Sequence, residues 1–343
     1  MMRIECLSSV DQWNALEPGW NALLHGAAFP SVFLSWEWLS NWWRVYGAGC
    51  ELRVLVARDG GRIRGIAPLM IETNGNRSRR LLLIGQTSDT LAEYLDFIVS
   101  AGDEYEVTPA LCRYLNQELR GDWEQVLFER VPQTSRNLAM FHGAFQQAGF
   151  RVAERNRDVA PFLTLPGTWE QLAASKSRNF RDQLRSGQNR LARLGEVRFL
   201  LAGNGIALED AFAHLMRLNR LRWGEAGASF RSDRYLRFHR AFAADLLQAG
   251  CLCLAVLEVA GEVAAVRYDF LFARKVWCMQ GGWDPSLHAC HPGTVITARV
   301  IQWAIQSGAR EYDFLGGDSG YKRRWANGER SMVDFLACEG GEL

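Results

Sequence analysis

The residues best suited to chemistry lie close together near the C-terminal end: Asp313, Asp318, Tyr321 and Lys322, interleaved with Gly316, Gly317 and Gly320. An aspartate can take a proton from an amine, a phenol can give one to a leaving group, and an ammonium can hold a phosphate or carboxylate. Upstream stands His291-Pro292-Gly293-Thr294, followed by Val295. Proline, glycine and a hydroxyl residue at a helix start leave the first amides without intrahelical partners, and together with the helix dipole those amides favour an anion. The combination suits a phosphorylated cofactor bound beside acid–base groups.

Three elements must position these groups. An aromatic strand, Val276 to Trp283, precedes the Pro-Gly start, and an apolar-periodic helix follows it through Val295, Ile296, Val300, Ile301, Ala304 and Ile305. Gly308 stops that helix, and Glu311 to Leu315 reads as a short strand that delivers Asp313 to the glycine-rich turn. An aspartate at a strand end followed by glycines also suits a turn former, and Tyr321 and Lys322 also suit the start of a short helix running into Trp325. Arg222 and Trp223 close another helix, and the Gly224-Glu225-Ala226-Gly227 turn after it suits a mobile loop that carries a further candidate base, Glu225. Cys290 adjoins His291, but sequence neighbours rarely form a nucleophile–base pair. His142, His214 and His239 fall in helical patterns and read as structural, and no His/Cys/Asp grouping has metal spacing.

The 343 residues favour two domains, and 48% hydrophobic residues supply a sizeable core. Lys+Arg 39 against Asp+Glu 38 argues against a surface devoted to nucleic acid. The 8 cysteines are scattered without a CxxC pair and read as thiols in a reducing cytoplasm. Neither a leader pattern nor an apolar run long enough to span a membrane is evident, so a soluble, unexported chain without membrane insertion is expected. Trp36, Trp38, Trp42 and Trp43 at helical spacing read as packing.

The patterns predict an α/β fold with a mixed sheet, built twice. In the first half, a strand at Arg3 to Leu7 and helices at Asp11 to Leu24 and Ser35 to Tyr46 precede strands at Leu52 to Ala57, Arg62 to Ile71, Arg80 to Ile84 and Tyr94 to Val99. A helix from Glu104 to Leu119, a strand from Gln125 to Phe128, a helix from Ser135 to Ala148 and strands at Arg151 to Glu154 and Pro161 to Leu165 follow. The second half repeats the order: a strand at Val197 to Leu201, helices at Ile206 to Trp223 and Asp233 to Gln248, three strands between Cys251 and Trp283, then helix and strand. Gly60-Gly61 and Ala260-Gly261 are corresponding hairpin turns. Where the second half has Pro-Gly, the first has Ser100-Ala101-Gly102-Asp103-Glu104, acidic where an anion would bind, so the cofactor is expected in the second half. Between them, Ala173 to Gly195 forms a helix with Phe180, Leu184, Gly187, Leu191 and Leu194 on one face and Arg178, Arg181, Arg185 and Arg193 on the other. That stripe is either a solvated face or a grip on an anionic substrate or cofactor phosphates.

Four patches carry a family resemblance: FLSWEWLSNWW at Phe33 to Trp43, the SKSRNFRDQLR helix, RLNRLRWGEAG at Arg217 to Gly227, and the stretch from His291 to Trp325. With them the chain resembles the GNAT superfamily of acyltransferases, and more closely the CelD-like acetyltransferases of cellulose and exopolysaccharide clusters, relatives of the Fem-type peptidyltransferases. The resemblance implies tandem GNAT-like folds, residues 1–165 without cofactor and 166–343 as the acyltransferase domain. It also implies acyl-CoA or acetyl-CoA, or an acyl carrier protein, as donor. His291, Gly293, Thr294 and Val295 map onto the superfamily's pyrophosphate loop, although that loop usually has two glycines after Gln or Arg and only Gly293 is present here.

The function so implied is direct N-acyl transfer to an amine of a small molecule, amino sugar or amino acid. Such transfer needs a base for the amine, a donor to the oxyanion and a proton for the departing thiolate. Asp313 and Asp318 are the base candidates and Tyr321 the acid. Lys322, Arg222, Trp223, Arg178, Arg181 and Arg185 are the substrate-side candidates. A Fem-type transferase using charged tRNA, for which the arginine stripe would be the footprint, and a non-catalytic binding protein on the same fold are the alternatives.

Overall fold

The computed structural model describes residues 2–75, 78–86, 92–227, 232–317 and 320–340, with the backbone alone for 225–227. The chain divides into two units, Met1–Val159 with Arg330–Leu343, and Ala160–Glu329. The division falls a few residues before the expected 165/166 boundary. The last 14 residues, expected in the second domain, belong to the first unit because they form a C-terminal strand that hydrogen-bonds there.

The first unit contains β1 (Arg3–Leu7), α1 (Val10–Asn14), α2 (Glu17–His25), α3 (Trp36–Tyr46), β2 (Cys50–Asp59), β3 (Arg62–Thr73), β4 (Arg79–Leu83) and β5 (Ile98–Val99). It continues with α4 (Glu104–Gln117), β6 (Gln125–Pro132), α5 (Arg136–Gln147) and the first part of β7 (Arg151–Thr164). One helix was expected from Asp11 to Leu24. Two form, because Pro18 has no amide to donate and is accommodated in the first turn of a new helix. Strands expected at Arg151 to Glu154 and Pro161 to Leu165 are one continuous β7. The tryptophans pack as expected: Trp38 and Trp42 are buried, and Trp13 meets Trp36 edge-on at 5.3 Å.

The second unit takes the remainder of β7, then α6 (Trp169–Ser175), α7 (Arg178–Leu194), β8 (Val197–Ala202), β9 (Gly205–Ile206), α8 (Leu208–Gly227) and α9 (Asp233–Gln248). Next come β10 (Leu252–Val259), β11 (Glu262–Phe272), β12 (Lys275–Trp283), α10 (Pro292–Gln306), β13 (Glu311–Asp313) and α11 (Gly320–Trp325). β14 (Gly328–Cys338) ends the chain.

The expected repeat of element order is present. Each unit has an antiparallel meander, β2-β3-β4 or β10-β11-β12, then a helix, then a strand parallel to the meander's last member. The two hairpins close at Asp59↔Arg62 and Val259↔Glu262, with positive φ at Gly60, Gly61, Ala260 and Gly261.

Alternation along β11 sorts the second unit into two faces. Tyr268 and Phe270 meet Phe212 of α8 and Phe242 of α9 at 5.3 and 5.0 Å. On the other face, α7 and α10 bury Phe180, Leu184, Leu191, Val295, Ile296 and Ile301 against Ala255, Leu257 and Val276. Each such side chain contributes about 1.5–3 kcal/mol. Leu194, expected on the apolar face of α7, is 52% exposed because the helix ends there at Gly195.

Candidate active site

β12 and β13 pair in parallel at three positions only, Lys275↔Glu311, Val276↔Tyr312 and Trp277↔Asp313. β12 then runs on to Trp283, paired with β11 alone, while the chain after Asp313 turns away through Leu315 at φ 57°. A register shift opposite Tyr268/Asp269 adds a bulge to β12 at this point. The backbone of β12 past Trp277 therefore has no strand partner on its β13 side, and a cavity of about 200 Å³ opens beside it. Gly281, Gly282 and Trp283 form one wall. Gly282 is required by packing: a Cβ there would lie 2.5 Å from the Leu218 backbone of α8.

The helix start forms the next wall. His291 adopts left-handed backbone at φ 50°, Pro292 occupies the first turn of α10, and no side chain caps the helix. Gly293 lets the turn lie against Trp283, whose Cδ1 would be 3.0 Å from an added Cβ. Thr297 donates to the Gly293 carbonyl at 2.8 Å. Helix α7 holds the approach to this turn: Arg190 Nη1 donates to the Ala289 carbonyl at 2.6 Å, and Gly187 lets the Cys290 carbonyl come within 2.8 Å of where a Cβ would sit.

A buried polar cluster forms the floor. Arg267 Nη2 donates to Asp269 Oδ1 at 3.1 Å, to the Tyr312 hydroxyl at 3.0 Å and to Cys278 Sγ, and the Tyr312 hydroxyl donates to Asp269 Oδ2 at 2.5 Å. Asp269 and Tyr312 have no exposure at all. Burial pushes the Asp269 carboxyl upward despite Arg267. Burial alone would lower the Arg267 guanidinium, but Asp269 and its other neighbours hold it well above its ordinary value, so it stays charged. Tyr321 lines the cleft near Arg267, and burial pushes its phenol up to about 12. It is a neutral O–H donor near pH 7.

Residues 178–323 match the family model described as Acetyltransferase (GNAT) domain. Over these residues the chain is similar to GNAT acetyltransferase domains. Among curated proteins no sequence matches the chain. Among solved structures, FemX shares the fold at TM-score 0.66 and 12% identity, over 95% of this chain and 96% of that one. A protein of unknown function from Bacteroides thetaiotaomicron matches at 0.61 and 13% identity, over 98% and 99% of the two chains. A tandem GNAT protein from the clavulanic acid biosynthesis pathway matches at 0.51 and 12% identity over the whole of both.

Within the GNAT domain, the cleft gathers His291, Gly293, Thr294, Tyr321 and Arg222 of the residues singled out from sequence. Val295 faces the core at 2% exposure. Asp313 is fully buried, does not line the cleft, and accepts the Leu315 amide at 2.8 Å, the turn-forming geometry of an aspartate at a strand end. Lys322 directs its ammonium onto the carbonyls of Leu315 and Gly316 at 3.0 and 2.6 Å, so it fastens the glycine turn to α11. Asp318 and the side chain of Glu225 lie outside the described residues.

The arginine stripe does not line the cleft. Arg178 pairs loosely with Asp182 at 3.6 Å, Arg181 donates to the Ala174 and Lys176 carbonyls, and Arg185 is exposed. Trp223 is 53% exposed and stacks against Arg222, whose guanidinium lies 4.5 Å from its ring. Cys290 is half-buried and also absent from the lining. No group of His, Cys, Asp and Glu suited to a metal occurs among the described residues.

Sequence reading missed Arg267, Asp269 and Tyr312. The signal was available: an arginine and an aspartate two apart in the otherwise apolar strand EVAAVRYDFLF must share a face and, once buried, must pair.

Proposed function

We propose that the GNAT domain transfers an acyl group from acyl-CoA to the amine of a small molecule, an amino sugar or amino acid, by direct attack. The observation that carries this reading is the convergence of three features on one cleft: the unpaired edge of β12, the Pro-Gly start of α10 and the phenol of Tyr321. The α10 start, with His291, Gly293 and Thr294, takes the donor's pyrophosphate. The β12 backbone at Gly281 and Gly282, which lines the cleft, takes the pantetheine arm and the thioester oxygen.

The amine nitrogen attacks the thioester carbonyl, the C–S bond breaks, and the departing thiolate takes the Tyr321 proton. The tyrosinate is stabilised by Arg267 and Arg222 until solvent returns the proton. The attacking nitrogen loses its proton to Asp318, directly or through water. Asp318 is preferred to Asp313 because the latter's carboxylate is committed to its turn. The likeness to CelD-like acyltransferases supports a role in polysaccharide biosynthesis. A carrier-protein thioester would deliver the same arm.

The test combines calorimetry with acetyl-CoA, longer acyl-CoAs and CoA with turnover of Tyr321→Phe and Asp318→Asn. Tyr321→Phe should keep donor affinity and lose about 10²–10⁴-fold in kcat. Unchanged rates in both variants sink the acid and base assignments, and no binding of any CoA species sinks the donor. The exposed Arg178 and Arg185 of α7 favour a second reading, aminoacyl transfer from charged tRNA. Transfer from charged tRNA that falls steeply with salt would select it.

A further inference from the structure

We propose that the acceptor amine carries its own carboxylate and that Arg222 is the residue that binds it. The inference rests on the acyl-transfer reading and narrows its substrate.

Arg222 leaves α8 just before Gly224, where φ of 68° breaks the helix. Its guanidinium lies 4.5 Å from the Trp223 ring and 5.7 Å from the Trp283 ring, in the wall of the cleft. Stacking occupies the face of the guanidinium and leaves the in-plane N–H groups to a ligand, the arrangement that suits a planar carboxylate. Among the described residues Arg222 makes no ion pair and no hydrogen bond, although it is half-buried and burial pulls its pKa down. The other arginine of the cleft, Arg267, is matched by Asp269. Among the described residues of the lining there is no aspartate or glutamate, and of its two arginines only Arg267 is matched by a carboxylate.

An anionic group could come from the donor's phosphates or from the acceptor. The two binding groups come from different faces of the sheet. α10, whose start receives the phosphates, packs on the β11 face that carries Arg267 and Asp269, whereas α8 packs on the opposite face against Tyr268. Arg222 therefore enters the cleft from the face opposite α10 and meets the α10 start only across the Trp283 ring, 5.7 Å from its guanidinium, while the α10 amides serve the donor phosphates, which assigns Arg222 to the acceptor.

The test is calorimetry on the full chain saturated with CoA, using matched probes: L-alanine against L-alaninamide, and muramic acid against glucosamine. At least one acid should bind about 10- to 100-fold more tightly than its neutral partner, the range for a hydrogen bond to a charged group. Arg222→Gln should abolish that preference with CoA affinity unchanged, and Arg222→Lys should restore only part of it. Equal binding of acid and neutral partner, or binding of neither, overturns the proposal. So does an Arg222→Gln variant that binds CoA more weakly and acids as before, since the anion would then be a donor phosphate. Acids that bind as expected but are never acylated overturn the transfer reading and leave this one standing.

Discussion

Replacing Asp269 with alanine should destabilise the second unit by about 3–5 kcal/mol, while replacing both partners, as Arg267→Met with Asp269→Leu, should restore most of that loss or more. The single change strands a guanidinium that is 6% exposed. At the observed 3.1 Å the pair's attraction is about 5 kcal/mol with an effective dielectric of about 20. The Tyr312 hydroxyl loses its charged acceptor as well, and relaxation and entering water recover part of the total. The double change removes the buried charges altogether. Taking both charges out of water costs several kcal/mol per ion, which the attraction repays only in part, so apolar side chains of similar volume hold the site at least as well. The linkage has the same sign: a carboxyl raised in the folded state contributes stability below its unfolded value and loses it as pH rises through the folded value. Urea unfolding reads the total, and hydrogen exchange of the β11 amides locates it. A single variant costing less than about 1 kcal/mol, or a double variant no better than the single, would refute the reasoning. The double variant should still lose turnover, since Tyr321 would lack Arg267.

Asp96 and His239 should make opposite contributions on acidification, each read by hydrogen exchange as the difference between the protein and the variant that lacks the group. Burial pushes Asp96 up to about 6, so its stabilising contribution, full below the unfolded carboxyl value of about 4, is lost as pH rises through 6; going from pH 7.5 to 5 the first unit gains about 1 kcal/mol. Burial lowers His239 to about 3, so the second unit loses about 2 kcal/mol by pH 5, where the unfolded imidazole takes a proton that the folded one refuses. Asp96→Asn should flatten the first response and His239→Phe the second. Gly282→Ala should cost about 1–3 kcal/mol and lower kcat by displacing α8 and Arg222, because its methyl meets helix backbone rather than a yielding side chain; a variant of wild-type stability would contradict the close approach. Calorimetry should give one acyl-CoA per chain, and Thr294→Glu, which plants a carboxylate at the α10 start, should abolish it; a second equivalent would place a donor in the first unit.

The repeat of meander, helix and parallel strand was legible because alternation and helical spacing are local properties, and the glycine hairpins mark the same joint in both units. The Pro-Gly helix start was legible for the same reason. Asp313 and Lys322 were not: a carboxylate or an ammonium beside a glycine turn reads alike whether it meets a ligand or its own backbone, and only the folded turn shows the Leu315 amide on one and two carbonyls on the other. The arginine stripe was legible only as a face, since spacing gives the face of a helix but not what that face looks upon. β14 went unpredicted because its centre carries Asp334, a charge that breaks the apolar pattern yet is fully buried against Arg155 and Arg157.

The contrast between the units bears on why one fold is used twice in one chain. In the first unit, α4 occupies the place that α10 holds in the second, after the meander and before the parallel strand. Its start is already supplied with anions: Glu104 accepts the Gly102 amide at 2.7 Å, and Asp103 at the cap is held by Arg64 at 2.6 Å. As at α10, no side chain caps the helix, but the carboxylates of Asp103 and Glu104 stand at its start and would repel a phosphate. At α10 the same positions hold proline, glycine and threonine, with no acidic residue in the first turn and no side-chain cap. The anion that the first unit supplies for itself is the one the second leaves for a ligand. Two units with the same order of elements thus differ at the one helix start where charge decides whether an anion is welcome.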